Sequence, residues 1–537
     1  MSSLDLIIVA VYAALLLAVA LSVSREKSGR KKDTEDYFLA SKALPWWAIG
    51  ASLIASNISA EQIIGQSGQG YVVGLAIAAY EWQAAIVLLI VAKFFLPIFL
   101  KRGVYTMPQY LNQRYGGGVK TLMSFYWIAL YTLVNLTTVL WLGGLAVNAV
   151  TGAPVMLAMA GLAGFAALYS LYGGLKAVAL TDIIQVVILI VGGAAITWIT
   201  LGLVGGEAGA VGGLSRIGAE APGHLKMILA RDHPAYGDLP GIWTLLGGLW
   251  VLHFSYWGFN QYIIQRALAA ESLPEAQKGL AFAAFLKLFI PVIVVVPGIA
   301  ALLLAKDGLI DAAGLDPSVC ADAEDSATCG KPDRTYGALM SLAPAGLRGL
   351  VFAALIAAIV SSLASMMNSI STIFTMDVYR AAVGDKPERH YVGVGRIAAF
   401  AAMAIALVAA RPFIGGFESG FQTVQEYTGF IAPGVVSIFL LGFFWPRTNA
   451  AGAFAILIGS VALNILLKFY AADVPFVLRI WIVFLACIAI GFVASLVAGR
   501  RDGESAIKDV SFATTATFNV LATIVAAIFV GIYVVFY

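Results

Sequence analysis

Charge is scarce in these 537 residues: Lys, Arg, Asp and Glu together make up 12% of the chain, about half the share usual for a soluble domain. Set against 61% hydrophobic residues, that shortage excludes an ordinary soluble enzyme and puts the chain in a bilayer. The net charge of +3 offers no surface to nucleic acid, so no such partner is expected. Cysteines number three, too few for a disulfide framework or a thiolate metal cluster. Cys320 and Cys329 flank one polar loop and could pair in an oxidising compartment, while Cys487 sits in an apolar run. His224, His233, His253 and His390 have no metal-ligand spacing, and no nucleophile–base pair is visible, so enzyme chemistry is not expected. A Walker-type phosphate loop is also missing, so transport would be driven by a gradient rather than by nucleotide hydrolysis.

What the chain has is long apolar segments. A spanning helix needs about 20 mostly apolar residues, and about fourteen such segments can be placed, centred near 13, 58, 87, 134, 163, 190, 254, 291, 360, 401, 433, 459, 486 and 525. The first, Leu4 to Val23, ends in a basic cluster without a cleavage site and reads as a retained helix. Arg25, Lys27, Arg30, Lys31, Lys32 and Lys42 follow it, which makes that connection cytoplasmic. With alternation, about 21 of the 33 Lys and Arg residues fall inside, Arg266, Arg389 and Arg447 among them. Both termini and the polar insertions near 205–240 and 307–347 then lie outside, periplasmic or extracellular, in a multi-pass plasma (inner) membrane protein.

Polar residues interrupt two spans. Between Trp46 and Tyr71 the chain carries Ser52, Ser56, Asn57, Ser59, Glu61, Gln62 and Gln66 with four glycines, too polar for a helix that faces lipid. This predicts a helix broken near Asn57–Ser59; close small-residue packing within a bundle is the alternative. The seventh span, Ile242 to Leu268, again mixes Gly, His, Ser, Tyr, Asn and Gln at mid-membrane. Interrupted segments at matching places in two halves point to an inverted-repeat secondary transporter. The count agrees, because spans two to six and seven to eleven form two sets of five, each opening on a broken helix.

Glu81, Asp182, Lys287 and the Gln425–Glu426 pair are polar groups inside other spans, and each charge costs at least about 2.5–3.5 kcal/mol at the bilayer centre unless paired or hydrated. Glu81 and Lys287 either serve a ligand or simply neutralise one another. The adjacent Ser361 and Ser362 either bond carbonyls of their own helix or, beside the free carbonyls of a broken helix, give an alkali ion its oxygens.

At these residues the chain resembles the sodium/solute symporter family, and within it the bacterial sodium/galactose symporters, over about residues 4–500. The resemblance is carried by TEDYFLASKALPWWAIGASLIASNISAEQIIG, YEWQAAIVLLIVAKFFLPIFL, LYGGLKAVALTDIIQV, YWGFNQYIIQRALAA, AQKGLAFAAFLKLFIP, IVSSLASMMNS and VQEYTGFIAPG. It implies an all-α integral membrane protein with a leucine-transporter-like 5+5 inverted-repeat core. One single membrane domain would hold an extra helix at 4–24, repeats at 46–204 and 241–446, and three further helices at 449–537. Sodium would be held by the backbone carbonyls of Ala55, Ile58 and Ala358 with the hydroxyls of Ser361 and Ser362, and Asp182 would line its exit.

The same resemblance implies a monosaccharide site made by Gln62, Glu81, His253, Tyr256, Lys287 and Gln425. Tyr256 would be the inner gate, and Gln66, Tyr80 and Phe421 the outer one. Three positions depart from the galactose symporters: Gln66 replaces Met, Ala84 replaces Ser and His253 replaces Asn. The hydrogen-bond pattern offered to the sugar is rearranged, so a sugar is still implied but galactose in particular is not. The expected activity is sodium-coupled import of glucose or galactose by alternating access. Another solute, such as an inositol or an acidic sugar, is the alternative, and a transporter-like nutrient sensor is a further one.

Overall fold

The computed structural model describes residues 1–24, 33–312, 314–315, 331–414, 420–499 and 506–537. Cys320, Cys329, the basic cluster at 25–32 and Arg500–Arg501 lie outside the described residues. Cys487 is buried as a free thiol. The described chain is all-helical, with no strand among its elements. Among the described residues ten helices are long and apolar enough to cross a membrane, and the pair Phe421–Gly429 and Ala432–Phe444, bent by 47°, makes an eleventh if it is one span.

Three expected spans fall short of that measure for a physical reason, since polar residues break two of them. The third, Val155–Leu168, belongs to a stretch that runs on to Gly205 but turns at Gly174, whose φ is +67°. A Cβ at Gly174 would stand 2.5 Å from the Tyr37 carbonyl oxygen, so the turn requires glycine.

The first broken helix runs Trp46–Asn57, extends at Ile58 (φ −78°, ψ 100°), and continues as a π turn over Glu61–Gly65 and a helix over Gln66–Val72. The second runs Leu249–His253, takes a π turn over Phe254–Gly258, extends at Asn260 (φ −82°, ψ 124°) and resumes as Gln261–Leu268. They lie antiparallel, because the start of one meets the end of the other: Leu44 N–H donates to the Ala269 carbonyl at 3.1 Å, and Glu271 N–H to the Leu44 carbonyl at 3.4 Å. The π turn follows the break in the first helix and precedes it in the second, so both π turns lie on the same side of the breaks.

The Leu347–Ile373 helix is buried along most of its length and packs against the first broken helix. Outside this centre, Ala450–Tyr470, Phe476–Val497 and Ala516–Val535 present large apolar side chains to the surroundings, among them Phe469, Val497 and Val535. Such a surface needs lipid around it.

Candidate functional site: a polar cavity beside two broken helices

Breaking a helix releases backbone groups. In an unbroken helix the Ser59 N–H would bond the Ala55 carbonyl; here it donates to Gln62 Oε1 at 3.0 Å, and the Ser59 hydroxyl donates to the same atom at 2.7 Å. Ser59 Oγ in turn accepts the Glu61 N–H at 3.0 Å. Gln62 thereby holds the break open, and the Ala55 carbonyl loses its usual amide.

Asn57, at the end of the first half-helix, ties the break to its surroundings. Its Nδ2 donates to the Tyr256 hydroxyl at 3.0 Å, and its Oδ1 accepts from Lys287. Tyr256 belongs to the π turn of the second broken helix and accepts from the Tyr262 hydroxyl at 2.5 Å. Lys287 also pairs with Glu81 Oε2, and its ammonium lies 4.9 Å from the centre of the Trp257 ring. The other carboxylate oxygen of Glu81 accepts from Gln66 Nε2 at 2.8 Å.

These side chains wall one cavity. Gln62, Glu81, His253, Tyr256, Lys287 and Gln425 all line it, and so do Gln66, Tyr80 and Phe421. The nine positions come from five separate stretches of chain, and no element of local sequence forces them together. Tyr80 stands edge-on to Phe421 with ring centres 5.1 Å apart and is 6.4 Å from His253. Gly65 makes room for this lid, since a Cβ there would lie 2.5 Å from Phe421 Cβ. Ala84 is buried but does not line the cavity. Glu426, neighbour of Gln425, turns elsewhere and pairs with Arg479 at 3.0 Å and Lys468 at 3.2 Å.

Several cavity atoms have no partner within the described protein: Glu61 Oε1, Gln66 Oε1, the Tyr80 hydroxyl, Asn135 Oδ1 and His253 Nε2. His253 bonds the Ala79 backbone, which leaves its Nε2 for the cavity. Unpaired buried polar atoms cost about 1–3 kcal/mol each, and most of these are acceptors, so this wall favours a ligand rich in hydrogen-bond donors. Asn57, Glu61, Asn135, Trp257 and Asn260 line the cavity as well, although sequence reasoning gave them no role there. Asn57 and Glu61 stood within the interrupted stretch, which was the available signal; Asn135 carried none.

On the other side of the break the hydroxyls of Ser361 and Ser362, on the Leu347–Ile373 helix, do not fold back on their own turn, as those of Ser365 and Thr372 do. Ser362 Oγ donates to the Ser56 carbonyl at 3.0 Å and Ser361 Oγ to Asp182 Oδ1 at 2.5 Å. Ala55, Ile58 and Ala358 are buried on the same pair of helices. Asp182 also accepts from Ser52 at 2.5 Å and pairs with Arg266 at 3.4 Å. Arg266 donates further to Ser52 at 2.6 Å and to Ser365. Arg266, placed by charge in a cytoplasmic connection, is in fact buried, with 1% of its side chain exposed. No group of three His, Cys, Asp or Glu that could hold a metal exists among the described residues. Hydroxyl and carbonyl oxygens beside one carboxylate suit a hard alkali ion rather than a transition metal.

Broken antiparallel helices around a polar cavity, with hydroxyl and carbonyl oxygens at the break, define the class of ion-coupled secondary transporters. The chain belongs to the sodium:solute symporter family, whose model matches residues 37–459. It is 47% identical to the sodium/glucose cotransporter of Vibrio parahaemolyticus over 546 residues, covering 100% of this chain and 99% of that one. The sodium/glucose cotransporter 4 of Danio rerio is 36% identical (84% of this chain, 69% of the relative), and the sodium/myo-inositol cotransporter 2 of Mus musculus 34% (87% and 70%). Among solved structures, the substrate-bound outward-open state of a sodium-coupled sialic acid symporter superposes with a TM-score of 0.78 at 21% identity, covering 94% of this chain and 99% of that one. A closed nucleobase-cation-symport-1 family transporter gives 0.50 at 12%, covering 92% and 99%. The fold is therefore leucine-transporter-like, in a multi-pass membrane protein, and sodium is the coupling ion of the family.

Proposed function

We propose that this chain imports a neutral monosaccharide, glucose or galactose, with sodium. The observation that carries the reading is the cavity itself: amides, the carboxyl groups of Glu61 and Glu81, an ammonium, an imidazole and aromatic faces converge on it, and the charges of Glu81 and Lys287 cancel within their pair. A sugar presents hydroxyls on its rim and apolar ring faces, and this wall answers both. Gln62, Glu81, His253, Tyr256, Lys287 and Gln425 bind it, Gln66, Tyr80 and Phe421 close over it, and Tyr256 closes beneath it. The carbonyls of Ala55, Ile58 and Ala358 and the hydroxyls of Ser361 and Ser362 take the sodium, and Asp182 draws it toward the interior.

Coupling then follows from the break. Sodium fixes the first broken helix against the Ser361–Ser362 helix, and Asn57 carries that order to Tyr256 and Lys287. Sodium binds the state with a formed sugar cavity better than the other state, and that difference is the coupling energy. Repeats over 46–204 and 241–446, a helix before them and three after give fourteen spans with both termini outside. Uptake of labelled sugars into proteoliposomes under an imposed sodium gradient tests the reading, which fails if no monosaccharide enters faster with sodium outside than without.

The sodium/myo-inositol relatives favour a second reading, since an inositol offers a similar hydroxyl rim. Competition of myo-inositol against labelled glucose separates the two.

A further inference from the structure

A second cavity opens on the lipid-facing flank and shares no lining residue with the sugar cavity. It is a groove of about 450 Å³ walled mainly by Ile128, Ile370, Phe374, Ile397, Ala401 and Ile405. Thr132 and Tyr379 are the polar members of its wall. Two of its walls are π turns, Leu130–Leu136 and Phe374–Tyr379, whose wider backbone sets side chains off the regular helical rows. The third wall is the Glu388–Ile414 helix, whose Ile397 and Ile405 stand 70% and 52% exposed along the rim.

Along that helix the groove reaches from Val394 to Ile405, about 16 Å at 1.5 Å per residue. That matches one leaflet, half of a hydrocarbon core about 30 Å thick. One end of the groove is marked by charge. Tyr379, at that end, hydrogen-bonds His390 Nε2 at 2.9 Å, and the stretch from Arg380 to Arg389 carries Arg380, Lys386 and Arg389 against Asp385 and Glu388, with Arg380 paired to Glu388 at 3.7 Å. Lys386 and Arg389 are exposed there. Such a basic excess marks the cytoplasmic side of a membrane and attracts anionic head groups.

We propose that the groove binds one anionic phospholipid of that leaflet, its acyl chain between the two π turns and its phosphate beside Tyr379, Lys386, Arg389 and His390. A chain seated there fills space between three helices that would otherwise be met by loosely packed lipid tails, and the basic end selects the head group. Phosphatidylglycerol is the probe, because it differs from phosphatidylcholine in net charge.

Native mass spectrometry of the full chain, offered phosphatidylglycerol and phosphatidylcholine in equal amounts, reads the preference. The intact protein retains phosphatidylglycerol over phosphatidylcholine. Lys386→Gln with Arg389→Gln cuts that retention at least about fivefold per charge removed, with phosphatidylcholine unaffected. Ala401→Trp, which fills the groove, lowers retention of both lipids. Equal retention of the two lipids by the unaltered chain overturns the proposal, as does phosphatidylglycerol retention that either variant leaves unchanged. Should Ala401→Trp fail to fold, the exposed charge variant still decides.

Discussion

Ser361 donates its hydroxyl hydrogen to Asp182 at 2.5 Å, so one expected sodium ligand is already held by a carboxylate. Its neighbour Ser362 reaches instead to the Ser56 carbonyl at the helix break. The two hydroxyls have different jobs before any ion arrives. If sodium binds between these helices as proposed, it must compete with both bonds, with the Asp182 carboxyl group beside Ser361.

The sodium dependence of uptake tests this arrangement. Ser362→Ala removes the proposed ligand at the break and should raise the sodium concentration for half-maximal uptake at least about tenfold, roughly 1.4 kcal/mol. Ser361→Ala should act less, because Asp182 remains. An unchanged sodium dependence in both variants and in the double variant places the ion elsewhere.

Arg266 and Asp182 are a buried pair with 1% and 0% of their side chains exposed. Removing one partner leaves a buried charge uncompensated, which costs about 3–5 kcal/mol. Arg266→Met should therefore lower the thermal unfolding midpoint of the purified transporter clearly, and Arg266→Met with Asp182→Asn should recover much of the loss. A double variant no more stable than the single one would show that the serines around the pair, and not its charge balance, set the stability.

Sidedness follows from the basic residues. A single cysteine at Arg389 should react with an impermeant maleimide only from the cytoplasmic face, and one at Arg231 only from outside. Reaction of both from one face removes the fourteen-span reading, because its three crossings between these connections, centred near 254, 291 and 360, put them on opposite sides.

Much of the site was legible because its chemistry is expensive in a membrane. Glu81, Lys287, Gln62 and Gln66 cannot sit in a span without a reason, and their convergence follows from that cost. Arg266 was misplaced, because charge counting treats every Arg near a helix end as solvated and cannot see Ser52, Ser365 and Asp182 waiting across the bundle. Asn135 was invisible for the opposite reason, since one amide in an apolar run reads equally well as a helix contact. The π turns at Glu61–Gly65 and Phe254–Gly258 leave no mark in local composition, yet they set which side chains face the cavity. The count of spans was the least secure feature, since the very breaks that make the site also shorten the helices used for counting.

Selectivity should rest on His253 more than on Ala84. His253 lines the cavity with an unpartnered Nε2, whereas Ala84 is buried away from it. His253→Asn should shift the ratio of glucose to galactose uptake, and Ala84→Ser alone should leave that ratio near its original value. If Ala84→Ser moves the profile and His253→Asn does not, the cavity wall described here is not where the sugars are told apart.

Glu81 and Lys287 pose the sharpest choice between scaffold and function. Each is almost fully buried, and Glu81 is held from both sides, by Lys287 and by Gln66. Glu81→Ala strands the ammonium and Lys287→Ala strands the carboxylate, so each single variant should abolish uptake whichever role the pair has. The double replacement distinguishes them. If the pair merely balances charge, Glu81→Leu with Lys287→Leu leaves no charge uncompensated, and transport should return in large part, reduced only by the partners that Asn57 Oδ1 and Gln66 Nε2 lose. If the pair also bonds sugar hydroxyls, the double variant should fold and bind sodium yet fail to move sugar, because each lost hydroxyl partner costs about 1–3 kcal/mol. We expect the second outcome, since Glu81 and Lys287 line a cavity whose other walls carry unpaired Gln66 Oε1 and His253 Nε2, and a purely structural pair has no reason to stand among atoms that are themselves waiting for a ligand.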